Sequence, residues 1–150
     1  MTSTKAGFCA VLDGPDAGWL TVTLERGEQS YSFHPSHVPY ESVALLAQAL
    51  LAVLDGRDAV VPWNDEPIEH EFRFAVAAEQ VELCVVTLRP LPHGETARDP
   101  VFTVSGAAHE VARPLWRALR QVQSHLSPDD YLRAWREPFP AATFRSWGGV

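Results

Sequence analysis

His34 and His37, in the run His-Pro-Ser-His, are the first residues in this chain whose types could do chemistry. Two imidazoles on one loop could ligate a metal. A zinc site needs three or four ligands, however, and the sequence assigns no others. A polar loop joining a sheet to a helix is the simpler reading. His70, His93, His109 and His125 stand singly, with no nucleophile or acid at a meaningful spacing. Asp65, Glu66, Glu69 and Glu71 form an acidic cluster that could in principle supply a general acid and a general base, because unlike surroundings drive two carboxyl pKa values apart. No such difference is legible in the residues, and a solvated loop or strand face explains the run as well. Trp63 beside it completes the composition of a protein-binding hot spot, an aromatic anchor flanked by charge. A core tryptophan is the competing reading. Arg113, Arg117 and Arg120 could grip phosphate, but in a chain with an isoelectric point near 5.3 a solvated helix face is expected. A Gly-x-Ser-x-Gly elbow, a phosphate-cradling glycine loop and a dinucleotide fingerprint are all missing, and no cofactor is expected.

The charge balance narrows the partner class. The net charge is −7, and it is uneven: residues 1–82 carry 13 acids against 4 bases, residues 83–150 carry 6 acids against 8 bases. Phosphate contacts need clustered cations, so the balance disfavours nucleic acid and anionic membranes and favours a basic protein partner. Hydrophobic residues make up 46% of the chain and charged residues 21%, close to the averages of water-soluble domains. The apolar stretch from Phe8 to Leu12 stops at Asp13, too short for a secretory signal, so a cytoplasmic location is expected. Cys9 and Cys84 each sit in an apolar, strand-like run, which predicts buried, reduced thiols.

Alternation governs the elements that must position these residues. Gly7 to Leu12 leads through Asp13-Gly14-Pro15-Asp16 to Leu20, Val22 and Leu24; after a turn at Arg26-Gly27-Glu28, Tyr31 and Phe33 continue the inward set. Thr21, Thr23, Ser30 and Ser32 fall on the opposite, wet face. Between Tyr40 and Leu54 the period becomes helical, with Pro39 and Glu41 at the start and Gly56 at the stop. This helix is apolar almost all round, so cover beyond the sheet is expected from the aromatic C-terminal tail or from a homodimer contact. A linker with Pro62, Trp63 and Pro67 precedes a second hairpin, Phe72–Val76 and Val81–Leu88, turning at Ala78-Glu79. Residues 89–100, with three prolines, read as a surface loop before a short strand at Val101–Val104. An amphipathic helix from about His109 to His125 follows, with Pro114 in its first turn or at a kink. Ser127-Pro128-Asp129-Asp130 starts a short helix reaching about Arg136. Phe139, Phe144 and Trp147 make the tail too aromatic for disorder.

Trp63-Asn-Asp-Glu-Pro followed by Glu71-Phe-Arg-Phe, and Tyr131-Leu-Arg-Ala-Trp135 followed by Pro138-Phe-Pro140, resemble a family of small uncharacterised bacterial proteins, some associated with the immunity proteins of toxin systems. The resemblance covers the last two-thirds of the chain. It implies a bacterial protein that binds a protein partner, and it carries over no catalytic residues.

The expected fold class is α+β: one domain spanning residues 1–150, with an antiparallel sheet of five or six strands, two main helices on one face and a short C-terminal helix. The expected function is a non-catalytic protein-binding module presenting an acidic surface, with Trp63, Asp65, Glu66, Glu69 and Glu71 as the contact residues. The alternative is a small hydrolase or metal-binding enzyme using His34 and His37 or the carboxylates from Asp65 to Glu71.

Overall fold

The computed structural model describes residues 7–147. The chain opens as a meander of β1 (Phe8–Asp16), β2 (Trp19–Arg26) and β3 (Gln29–Phe33), in which Val22 sits between Leu12 and Phe33. Period-2 alternation divides its two faces as the sequence predicts. Leu20, Val22, Leu24 and Phe33 are buried. On the other face the Thr23 and Ser32 hydroxyls hydrogen-bond to each other at 3.0 Å. Helix α1 (Ser42–Leu54) follows and ends before Gly56, whose φ of +81° is the left-handed stop the sequence called for.

Beyond α1 the sequence reading needs correction. The expected linker is a strand, β4 (Ala59–Asp65), and the expected loop at residues 89–100 is largely strand as well. β5 (Ile68–Ala77), β6 (Gln80–Pro90) and β7 (Thr96–Ala107) complete a four-stranded antiparallel sheet in the order β4-β5-β6-β7. The single sheet of five or six strands is therefore two sheets, of three and four strands. Prolines misled the reading for a physical reason. Pro62 lies on β4 and Pro100 on β7, the two edge strands of the larger sheet, where a missing N–H need cost no ladder bond. Ser36 links the sheets, bridging Trp19 at the start of β2 and Asn64 near the end of β4.

Helix α2 (Ala108–His125) is held at its start by Glu110, whose carboxylate accepts the Ala107 N–H at 2.8 Å. Pro114 lies inside α2, past the first turn, rather than at its start. In α3 (Pro128–Trp135) the Ser127 hydroxyl accepts the Asp130 N–H at 3.1 Å, the cap that Ser-Pro-Asp-Asp encodes. The tail forms an additional short helix, α4 (Ala141–Ser146), packed on α1. Phe144 and Trp147 both stack on Trp116 of α2, with ring centroids 3.8 and 4.3 Å away. One hydrophobic cluster joins both sheets and all four helices. No helix among the described residues is long and apolar enough to cross a membrane.

Both cysteines are free, but they are not buried as expected: Cys9 is exposed and Cys84 half-buried. Cys9 shares the outer face of β1 with exposed Val11 and Asp13, so an apolar run there does not mean burial. Cys84 faces outward from β6 between Arg73 and Thr103. An alkylating reagent applied to the native protein is expected to label Cys9 as fast as a free peptide thiol and Cys84 several-fold more slowly. Equal, full protection of both would contradict the outward assignment of β1.

Candidate functional site: an acidic face with an exposed tryptophan

The expected contact residues do not form one surface. Trp63 is 0% exposed, so the hot-spot reading of this residue is corrected: it shares the inward parity of Val61 on β4 and packs against Phe33 and Phe72. Register places Glu69 and Glu71 opposite Asn64 and Pro62, on the face of the larger sheet away from Trp63. Both are engaged there. Glu69 accepts the Tyr40 hydroxyl at 3.0 Å, a bond that, with burial second, holds the Tyr40 phenol above its ordinary pKa. Glu71 is paired with Arg73 at 2.7 Å and with Arg98 at 3.5 Å. The Glu71 charge is thus met by two guanidinium groups, whereas Glu69 keeps its charge beside a neutral phenol on the face away from Trp63.

Asp65 and Glu66 lie elsewhere, at the seam between the sheets. Asp65 accepts the His34 backbone N–H at 3.2 Å, and burial raises its carboxyl above the ordinary carboxylate range despite that bond and the nearby imidazole. Glu66 is exposed in the β4–β5 turn, next to Asn64, whose side chain donates to the Val38 carbonyl at 2.7 Å. Asn64 and Ser36 thus tie the β4–β5 turn to the segment that carries both histidines.

The exposed aromatic at this seam is Trp19. It is 38% exposed and stacks on the His34 imidazole with centroids 5.3 Å apart and planes 8° from parallel. His34 Nδ1 in turn lies 3.0 Å from the Thr21 hydroxyl, fixing the ring's azimuth. Asp16 pairs with Trp19 across the hairpin, Asp13 with Thr21, and exposed Val38 lies on the segment below. The result is a face with one aromatic side chain held in place and a rim of Asp13, Asp16, Asp65 and Glu66. The sequence held a signal for Trp19: it shares the parity of Thr21 and Thr23, already assigned to the wet face.

His34 and His37 diverge. The His37 N–H donates to the Gly18 carbonyl at 2.9 Å, and its ring meets Trp135 edge-on at 6.1 Å. Gly18, with φ of +84°, permits this approach, since a Cβ there would lie 2.8 Å from His37 Cδ2. The Gly18 N–H also donates to the Ala134 carbonyl at 2.7 Å, docking α3 beneath the hairpin. Among the described residues, no group of three or more His, Cys, Asp or Glu side chains could hold a metal ion.

One buried and one half-buried polar group support this face from within. His70 is 2% exposed, stacks on Phe33 at 4.1 Å and shares a 2.6 Å hydrogen bond with the Tyr31 hydroxyl; burial lowers its pKa to about 4. Glu41, at the start of α1, accepts the Trp135 indole N–H at 2.9 Å and so ties α1 to α3. Burial raises the Glu41 carboxyl, the indole bond opposes the rise, and Glu137 adds to it.

No protein-family model, curated protein or solved structure matches the chain.

Proposed function

We propose that the chain is a non-catalytic protein-binding module, of the kind found among immunity proteins, that presents the acidic face around Trp19 to a basic partner. The observation that carries this reading is the Trp19–His34 stack: a large side chain partly exposed yet fixed in orientation, so little conformational entropy is lost when a partner covers it. The surrounding carboxylates supply long-range attraction for a basic surface. Both elements of the expected reading remain, an aromatic anchor and an acidic rim, but the anchor is Trp19 and the rim is Asp13, Asp16, Asp65 and Glu66. The enzyme alternative needs side chains that converge on one point. His34 and His37 point to different neighbours, and the carboxylates are divided between the two faces of a sheet.

The experiment is a paired capture. Wild-type chain and Trp19→Ala, both shown folded by near-UV spectra, are immobilised and exposed to the proteins encoded beside the gene. A basic protein retained at low salt by the wild type, and about 30-fold more weakly by the variant, is expected, since truncating a hot-spot tryptophan costs about 2 kcal/mol. Equal retention by both would move the binding surface away from Trp19.

A further inference from the structure

The acidic face around Trp19 is one corner of a larger uncovered surface, the outer face of the β1–β2–β3 meander. Strand pairing arranges that face in rows. Asp13, Thr21 and His34 form the row beside Trp19, and Val11, Thr23 and Ser32 form the next. Cys9, Glu25 and Ser30 close it at the far end. All of these side chains are exposed or half-buried, so no described element packs over them; Val11, in the middle row, is 54% exposed.

Size and charge together say what covers this face. A stable contact between proteins takes about 800 Å² and about 20–30 residues from each partner, and Trp19 with its rim of carboxylates supplies only a fraction of that. The meander face is continuous with the Trp19 corner, because Trp19 shares the outward parity of Thr21 and Thr23. Its charged side chains, Asp13 and Glu25, are both acidic. The outer face of the larger sheet instead mixes signs, with Arg73 and Arg98 beside Glu71, and offers a basic surface no consistent attraction. The meander face is also ordered in advance: the Thr23 hydroxyl is bonded to Ser32 and the Thr21 hydroxyl to His34, each at 3.0 Å.

We propose, with Trp19 as the anchor on which this rests, that the basic partner covers the whole meander face, from the Trp19 corner to the row of Cys9 and Glu25. The occupant is then a folded basic protein with a broad face, not a basic peptide segment. Its cations meet Asp13 and Glu25, and its uncharged hydrogen-bonding groups meet the threonine and serine hydroxyls between them. Cys9 lies four residues before Asp13 on β1, about 13 Å along an extended strand, so a contact confined to the Trp19 corner would leave it open.

Cys9 is therefore a native reporter of the footprint, and Cys84, outward on the larger sheet, is its internal control. In the complex with the basic protein recovered by paired capture, iodoacetamide labelling read by mass spectrometry is expected to slow about tenfold or more at Cys9 and less than about twofold at Cys84. Ser32→Arg, which sets a like charge in the middle row, is expected to weaken binding about tenfold or more, whereas Ala75→Arg, exposed on the larger sheet, leaves it unchanged. Cys9 labelled in the complex as fast as in the free chain, equal protection of both cysteines, or full affinity in folded Ser32→Arg would each overturn the proposal. Where Trp19→Ala still weakens binding, those results confine the contact to the Trp19 corner. Capture of no basic protein would overturn both the extended footprint and the Trp19 anchor on which it rests.

Discussion

Acidification from about pH 7 to about pH 4 is expected to cost the folded chain about 3 kcal/mol through His70 alone. The ring is buried and neutral, and burial lowers its pKa from 6.5 to about 4. Because the folded value is the depressed one, the unfolded chain takes up a proton first as pH falls. The contribution is complete above 6.5, declines across the window down to about 4, and is gone below it. Glu41 and Asp65 have the opposite sign: their carboxyls are raised in the folded chain, so they favour folding as pH falls through their own range. Wild type alone therefore shows only the balance, and His70→Phe isolates the term. Phenylalanine retains the stack on Phe33 and removes the titration. Urea midpoints at several pH values are expected to show the wild-type advantage over His70→Phe shrinking by about 3 kcal/mol between about pH 7 and 4. Parallel curves would show that His70 titrates alike in both states.

Trp116→Ala is expected to be among the most destabilising single changes, at about 3–5 kcal/mol. Trp116 is 4% exposed and holds the stacked rings of Phe144 and Trp147, so its removal empties the contact between α2 and the C-terminal aromatic residues. For a chain of this size the loss corresponds to a fall in melting temperature on the order of 10 °C. Phe144→Ala should cost less, since Phe144 is the smaller ring and is 8% exposed. The double variant should lose less than the two single losses combined, because each removes the same contact. Full additivity in thermal melts would show that the rings are energetically independent and that the tail is not part of the core.

Elements fixed by local chemistry were legible in the residues. The cap at Ser127, proline at the first position of α3 and the left-handed stop at Gly56 each act within a few residues. The alternation in β2 and β3 likewise placed Val22 and Leu24 inward without knowledge of the partner strands. Pairings between distant segments were not legible. Nothing near Pro62 says that β5 will lie beside it, so β4 read as a linker, and the Asn64–Ser36 bridge that closes the seam joins residues far apart in sequence. The candidate site failed in the same way. Trp63 and Trp19 are alike as residues, and the difference between a core ring and an exposed one is made by Phe33 and Phe72 on one side and by His34 on the other. Asp65 and Glu66, expected in one cluster with Glu69 and Glu71, lie apart from them at the seam, and Glu71 is paired with two arginines.

The central claim, that the face around Trp19 is steered to a basic partner by charge and held by an aromatic anchor, is tested most directly by association and dissociation rates against the protein recovered by paired capture. With Asp65→Asn/Glu66→Gln the association rate is expected to fall several-fold at low salt and to converge on wild type as salt shortens the reach of the field to a few ångströms. With Trp19→Ala the association rate should hold and the dissociation rate rise about 30-fold. Rates indifferent to salt, to both carboxylates and to Trp19 in folded variants would contradict the account.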